Sequence, residues 1–279
     1  MSRKLFCDIS PTCYEISLRK EYLIRDIKDF FSFEKYAKNT SKDELPIIIK
    51  SHTSILKRKL HNVDMHLQEN KIINLKLASS KINGLIINPG ETFSFWKLVG
   101  HPSKQAGYVE GLTIGRQGFK PGIGGGLCQL ANMIHYLILN SPLKVTELHH
   151  HSDALFPDER RKVPFGTGTS VFYKNIDYRF KNTLNQKVQL LLWVDDENLC
   201  GELRAENEIQ YRYKLIEEGH HYKKENNNYY RKSKVYRLTI DKKNNNVINK
   251  ELILNNNSRV MYDYNLIPKE EIINEEINL

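Results

Sequence analysis

The stretch that most constrains the fold is a cluster of four glycines that leads directly into a helical pattern. It reads GIGGGLCQLANMIHYLIL from residue 122 to 139. Apolar side chains recur there with the spacing of one face of a helix, which predicts a helix over about 127–140. The members of that face are Leu130, Met133, Ile134 and Leu137. A tight glycine turn must therefore deliver the chain into a helix, and Cys128 falls in its first turn.

A cysteine at the start of a helix differs chemically from an average thiol. Unpaired backbone N–H groups and the positive end of the helix dipole favour the thiolate, and the pKa of cysteine, about 8.5 in water, falls in such a setting. Cys128 is therefore a candidate nucleophile. The alternative is a structural cysteine, because free cysteines often pack as small apolar residues. Cys7 and Cys200 have no such surroundings in the sequence and are predicted to be unreactive.

The glycine loop itself has two functional interpretations. Glycine-rich loops before helices bind phosphate, but no GKS or GKT follows these glycines and their spacing is not GxGxxG. Both common nucleotide-binding fingerprints are therefore unmet. Glycines that let backbone N–H groups approach a substrate equally suit an oxyanion hole. The candidates for that role are Gly124, Gly125 and Gly126.

Three consecutive histidines at 149–151 follow the cysteine helix in a segment that is predicted to be a strand. A cysteine nucleophile needs a base, most often histidine, and a third group that orients the imidazole. Side chains alternate along a strand, so the first and third histidines should share the face toward Cys128 while the middle one points away. Glu147 and Asp153 are the candidates to orient the ring.

A metal site is the third interpretation of these residues. Zinc accepts imidazole, thiolate and carboxylate ligands together. The ligand set would be Cys128, His149, His151 and Asp153. The nucleophile and core-cysteine interpretations require neither a metal nor a cofactor, and the preferred interpretation contains none.

The charge and the cysteine content limit the classes of partner and the cellular compartment that fit this chain. The formal net charge of +9 would suit an anionic partner, but the basic residues are scattered and do not form the aromatic-interleaved face typical of nucleic-acid binding. We find no signal-peptide h-region and no apolar run of about 18 residues. The four cysteines contain no CxxC pair, which favours reduced thiols. We therefore expect a cytoplasmic protein with no transmembrane segment and no nucleic-acid partner.

The remaining patterns predict an α+β fold, in which a central, mainly antiparallel sheet packs against the cysteine helix. Ser10 followed by Pro11 predicts the start of an amphipathic helix over 10–36, whose apolar face should pack on the main domain. A second helix is predicted over 67–82, and strands follow from residue 169. The chain is thus divided into an N-terminal helical or irregular segment (1–66), a core domain (67–210) and a β-hairpin extension with a frayed tail (211–279).

Several motifs in a fixed order resemble the VanW family. They are GETFSFW, PGIGGGLCQLA, ELHHHSDALFP and PFGTGTSVFYKNIDYRFKN, at residues 90–96, 121–131, 147–157 and 164–182. The combination of GGGxCQ with HxHS carries the resemblance most specifically. These motifs add Glu91, Gln129 and Ser152 to the candidates for substrate or oxyanion contacts. The chain departs from most relatives at His150, where they have proline, and at Gly168, near which many carry an aspartate.

The resemblance implies a role in cell-wall maintenance, because some members of the family are described as L,D-transpeptidases that cross-link peptidoglycan through the motif cysteine. On the matching positions, Cys128 would be the nucleophile and His149 or His151 the base. The implied partner is a peptidoglycan stem peptide or, in the cytoplasm, a soluble precursor. A non-catalytic accessory or binding protein of the glycopeptide-resistance or cell-wall stress response is the alternative.

Overall fold

The computed structural model describes residues 5–57, 65–115, 118–150, 153–155, 157 and 163–273. The α-helices in these ranges are α1 (Pro11–Phe31), α2 (Met65–Ile82), α3 (Phe95–Val99) and α4 (Leu127–Leu139). The strands are β1 (Ile47–Ile55), β2 (Leu85–Ile87), β3 (Thr92–Ser94), β4 (Glu110–Gly115), β5 (Gly118–Ile123), β6 (Lys144–Glu147), β7 (Asp153–Ala154), β8 (Arg179–Lys181), β9 (Val188–Val194), β10 (Asn198–Ala205), β11 (Tyr211–Glu225), β12 (Asn228–Asp241), β13 (Val247–Val260) and β14 (Ile272–Ile273).

The core is a four-stranded antiparallel sheet in the order β1-β10-β9-β2, with α2 and α4 packed against it. The predicted apolar face of α4 is buried in that core, because its helical spacing keeps these side chains on one side. The α+β class and the cysteine helix are therefore confirmed. Strand β1 was not predicted, and it lies in the central sheet although it belongs to the segment 1–66. The division into three segments stays a prediction.

The N-terminal helix α1 forms as predicted but docks differently. The Ser10 hydroxyl accepts a hydrogen bond from the Cys13 N–H at 3.1 Å, and Pro11 is the first helical residue. No residue of α1 is buried. The helix instead binds the body through ion pairs, since Arg25 donates twice to Glu147, at 2.7 and 2.6 Å. The expectation that its apolar face packs on the main domain is wrong.

A second sheet, in the order β14-β11-β12-β13-β7, is built mainly from three long strands near the C-terminus. The asparagine run at 244–246 lies in the loop between β12 and β13, with Asn245 at φ +60°. The run at 255–257 lies within β13 instead. The tail is not frayed at 272–273, because β14 pairs with β11.

Two segments predicted as strands are largely irregular. In the described part of the first, residues 144–150, the strand ends at Glu147, and 169–180 contributes only the start of β8. The backbone N–H of Asp177 donates to the Glu147 carboxylate, and that of Tyr178 donates to the Asp177 carboxylate. Side chains thus take the hydrogen bonds that a strand would give to a neighbour. No helix in the described ranges is long and apolar enough to cross a membrane.

Candidate functional site around Cys128

The glycine loop packs tightly against its own chain at the start of α4. Gly126 caps the helix with φ +96°, a conformation that strains other residues, and Gly124 also has a positive φ, +76°. A Cβ on Gly125 would lie 2.1 Å from the carbonyl carbon of Gly111. The buried Asn74 of α2 donates from Nδ2 to the Gly125 oxygen at 2.9 Å. Internal packing therefore accounts for these glycines.

Cys128 is the second residue of α4 and is half-buried. Burial raises the pKa of its thiol, while the backbone N–H groups of Val171 and of Cys128 itself donate toward the sulfur and oppose that rise. The net direction is upward, so burial outweighs the helix-start effect that the sequence suggested. The resting thiol is protonated at neutral pH, and a nucleophilic role would require a base.

Two further polar residues of α4 lie on the same side as Cys128. Asn132 and His135 follow it by four and seven residues, which places all three on one face of a helix. The Asn132 Oδ1 accepts the Thr169 N–H at 2.7 Å, and the His135 Nδ1 lies 3.0 Å from the Tyr178 hydroxyl. We call Cys128, Asn132 and His135 the α4 polar face. It lies against the segment 168–178.

His135 is a buried histidine with an unusual pKa. It is 1% exposed, and its Nε2 has no hydrogen-bond partner among the described residues. Burial, assisted by the charge of the neighbouring His150, lowers the pKa of His135 from 6.5 to about 3. The ring is therefore neutral at physiological pH, and its environment penalises the protonated form that a base must adopt.

The buried neutral ring makes stability depend on pH. The unfolded chain binds a proton at His135 below pH 6.5, whereas the folded protein binds it only near pH 3. Stability contributed by this group is therefore lost as the pH falls through that window, by about 1.4 kcal/mol per unit. We expect urea unfolding at pH 5 and pH 7 to show a loss about 2 kcal/mol larger for wild type than for His135→Gln. Parallel pH dependences of the two proteins would contradict the buried neutral imidazole.

Two members of the histidine run, His149 and His150, have different surroundings. The His149 Nε2 lies 3.2 Å from the Glu147 carboxylate, and its side chain is 42% exposed. The His150 Nδ1 lies 3.3 Å from the Gly168 oxygen, and His150 is close enough to His135 to influence its pKa. The alternation pattern had pointed His150 away from this helix, yet His150 influences His135 of the α4 polar face. His151 and Ser152 lie outside the described residues, so the choice of base stays a prediction.

Glu147, one candidate to orient a histidine, is the centre of an ion cluster. Burial alone would raise the pKa of its carboxyl, but hydrogen bonds and charge from Arg25, with help from Arg179, bring the pKa below its usual value. The carboxylate that His149 contacts is therefore ionised. Asp153, the other candidate, lies on β7 opposite Arg259 of β13.

The motif residues Gln129 and Glu91 have structural partners. The Gln129 Nε2 donates to the Ser54 hydroxyl and to the Ile55 oxygen, both at 3.0 Å, and so ties α4 to β1. The Glu91 Oε2 accepts from the backbone N–H and the side-chain amide of Asn88, at 2.9 and 3.0 Å. The first holds the helix to the sheet, and the second closes the turn between β2 and β3.

A buried carboxylate, Asp177, joins two of the sequence motifs. It is 2% exposed. Its Oδ2 accepts from the Ser94 hydroxyl at 2.6 Å and from the Arg179 Nε at 2.7 Å, and its Oδ1 accepts from the Trp96 N–H at 3.1 Å. Arg179 also binds Asp29 of α1 at 2.7 Å. GETFSFW and NIDYRF are therefore held together by one network that extends to the N-terminal helix.

No group of three or more His, Cys, Asp or Glu side chains is arranged to hold a metal ion in the part of the chain that the structure describes. The zinc set suggested by the sequence includes His151, which lies outside that part. At Cys200, burial and the Asp195 carboxylate raise the pKa of the thiol to about 11.

Comparison with known proteins places these residues in a family. Residues 70–204 match the family described as VanW like protein. The chain is 31% identical over 227 residues to the vancomycin B-type resistance protein VanW of Enterococcus faecalis, which covers 81% of this chain and 82% of that protein. The chain belongs to the VanW family. It is also 28% identical over 115 residues to the uncharacterised protein YoaR of Bacillus subtilis, with 41% of this chain and 36% of YoaR covered. No solved structure gives a significant match.

The matched VanW segment begins in α2 and ends in β10. It contains the whole α4 polar face, the histidine run, and Asp177 with its partners Ser94, Trp96 and Arg179. It leaves out α1 and β1, although α1 binds Glu147 and β1 binds Gln129. Elements outside the matched segment therefore support residues within it.

Proposed function

We propose that this VanW-family protein is a cysteine-dependent acyltransferase of the L,D-transpeptidase type that acts on peptidoglycan stem peptides. The α4 polar face carries the proposal, because it places a half-buried thiol at a helix start, where the Val171 N–H opposes the rise in the thiol pKa. The same face carries His135, whose pKa the charge of His150 lowers. Similarity to a protein named for vancomycin resistance supports a substrate in the cell wall.

The reaction proceeds through a thioester. An imidazole takes the proton of the Cys128 thiol, and the sulfur attacks the carbonyl carbon of an amide bond in the donor stem peptide. Backbone N–H groups at the start of α4 stabilise the oxyanion. The C–N bond breaks, and the leaving D-amino acid takes the proton from the imidazolium. The amine of an acceptor stem then attacks the thioester and gives a proton to the base. The C–S bond breaks, and the Cys128 thiolate takes the proton back from the imidazolium.

We assign the base to the histidine run at 149–151. His150 is supported by its influence on the pKa of His135 and His149 by its contact with an ionised Glu147. His151 is supported by the family motif. A general base contributes about 100-fold or more to the rate, so changing the acting histidine to glutamine should slow thioester formation by at least that factor.

The test is intact-mass measurement of protein incubated with an electrophilic stem-peptide mimic. Wild type should gain one adduct, and one of the variants His149→Gln, His150→Gln and His151→Gln should lose nearly all of the rate. If wild type gains no adduct, the acyltransferase proposal fails. If all three variants react like wild type, the base lies elsewhere.

Asn132 is a positioning residue in this proposal, because its carboxamide holds the Thr169 N–H and with it the segment that carries Val171. Replacing Asn132 by alanine should release that segment, raise the thiol pKa and slow adduct formation about tenfold, the effect of losing one hydrogen bond of about 1.4 kcal/mol. Asn132→Asp keeps an acceptor and should retain most of the rate. Equal thiol titration curves for wild type and Asn132→Ala, followed by iodoacetamide alkylation, would contradict this role.

One observation favours a second function, that of a non-catalytic binding or accessory protein. The pKa of Cys128 is raised rather than lowered, as expected for a thiol that serves only in packing. In that case peptidoglycan fragments would bind without turnover, and iodoacetamide would react with Cys128 no faster than with a free peptide thiol. A thiol pKa of about 6 or below in the presence of substrate would exclude this function.

A further inference from the structure

The apolar residues of α1 form a stripe that faces away from the body. Ile16, Leu23, Ile27 and Phe30 are separated by seven, four and three residues, which places them on one face of the helix. They are 53%, 61%, 48% and 75% exposed. We call these four residues the α1 outer stripe. Large apolar side chains aligned in this way mark an interaction surface rather than scattered exposure.

The opposite face of α1 is occupied, so the helix cannot turn the stripe inward. Leu18, Tyr22, Arg25 and Asp29 share that face and are half-buried. Tyr22 packs edge-on against Tyr173 with ring centroids 5.5 Å apart. The ion pairs of Arg25 and Asp29 hold this face on the body. Rotating the helix would break them.

The stripe continues into a group of phenylalanines at the C-terminal end of α1. Phe30 and Phe31 meet edge-to-face at 5.3 Å, and Phe31 is 66% exposed. Phe33, just beyond the helix, is 87% exposed and has a positive φ of 51°. Three adjacent aromatic side chains held in solvent offer a large apolar area for insertion into a lipid layer.

The charges around the stripe are suited to an anionic surface. Arg19 and Lys20 border the stripe on its two edges and are exposed. Two carboxylates of the helix, Asp26 and Asp29, are bound by cations of the body, Lys174 and Arg179. Among the described residues, three cations and two carboxylates of α1 have no such body partner: Arg19, Lys20, Lys28, Glu15 and Glu21. Of these, Lys20 pairs with its neighbour Glu21 at 3.6 Å. The whole chain carries a net charge of +9.

We propose that α1 is an interfacial helix that docks the protein onto a membrane surface containing anionic lipid. The outer stripe and the phenylalanines enter the boundary between headgroups and acyl chains, while the side chains of Arg19 and Lys20 reach the headgroups. The helix lies in the plane of the surface, because its inner face remains ion-paired to the body. This docking is independent of any chemistry at Cys128.

Charge complementarity favours lipid over a second copy of the chain. A second copy would bring another net charge of +9 to the same surface, whereas anionic headgroups supply the opposite sign. The attraction should therefore weaken as salt screens it.

The test uses the full chain and vesicles of phosphatidylcholine, either alone or with an equal share of phosphatidylglycerol. One variant carries Leu23→Glu and Ile27→Glu. The matched control carries Ile248→Glu and Leu252→Glu on β13, at positions with 53% and 50% exposure, and changes the net charge equally. Cosedimentation gives the partition coefficient, light scattering gives the oligomeric state, and circular dichroism gives the melting temperature.

Wild type and the control should bind the anionic vesicles, less at high salt, and the stripe variant should bind at least tenfold more weakly with an unchanged melting temperature. Equal losses for the two variants would show that only charge matters and would overturn the role of the stripe. The proposal also fails if wild type does not bind, or if it is a dimer that the stripe variant alone converts to monomer. A lower melting temperature for the stripe variant alone would show that the stripe is packed in the folded protein. The membrane-docking proposal would then fail as well.

Discussion

Replacing Cys128 by alanine is expected to abolish the covalent adduct with an electrophilic stem-peptide mimic while leaving the protein folded. The sulfur is the only atom in the proposed reaction that bonds to the substrate, so no other group on α4 can replace it. Because Cys128 is half-buried, losing the thiol should cost about 1 kcal/mol and lower the melting temperature by only about 2–4 °C. Intact mass and a thermal melt on the same samples measure both effects.

The matched control is Cys13→Ala. Cys13 is a half-buried thiol on α1, a helix outside the matched VanW segment. This variant should keep the full adduct. If Cys128→Ala were labelled as strongly as wild type, Cys128 would not be the nucleophile. A non-catalytic binding protein would then be the better proposal for the function.

Replacing Asp177 by alanine should be the most destabilising single change outside the apolar core. The carboxylate accepts from the Ser94 hydroxyl, the Trp96 N–H and the Arg179 Nε in a buried site. Its removal leaves these buried donors without their acceptor, although Arg179 keeps its ion pair with Asp29, and the loss costs about 3–5 kcal/mol. A fall in melting temperature of roughly 10 °C follows for a chain of this size. Circular dichroism and urea unfolding would measure it.

A surface ion pair supplies the comparison. Glu208 is 71% exposed and binds Lys242 at 2.9 Å. Glu208→Ala should therefore change the free energy of unfolding by no more than about 0.5 kcal/mol. If Asp177→Ala were equally mild, the link between the two family motifs would not be a source of stability.

The parts of the fold that local patterns determine were predictable. The glycine turn, the apolar spacing of α4 and the Ser10–Pro11 start of α1 each depend on residues within a few positions of one another. Docking of α1 was not predictable in the same way. An apolar stripe is buried only where the body offers an apolar surface, and the body here presents Glu147 and Arg179, more than 100 residues away in sequence.

The candidate site was predictable in part. The spacing of Asn132 and His135 after Cys128 is visible in the sequence. It was missed because the apolar face of the same helix gives the stronger pattern. Their partners, Thr169 and Tyr178, come from a distant loop. The orientation of the histidine run was also beyond sequence patterns, because alternation holds only while a strand continues, and β6 ends at Glu147.

Strand β1 has a consequence for work with fragments of this protein. It covers one side of β10 along eight paired positions and is bonded to Gln129. A fragment limited to the residues that match the family, 70–204, would lack this strand. The N–H and C=O groups of β10 that now bind β1 would become an open sheet edge, which invites pairing with another chain. Aggregation of such a fragment would therefore reflect the loss of β1 at its boundary.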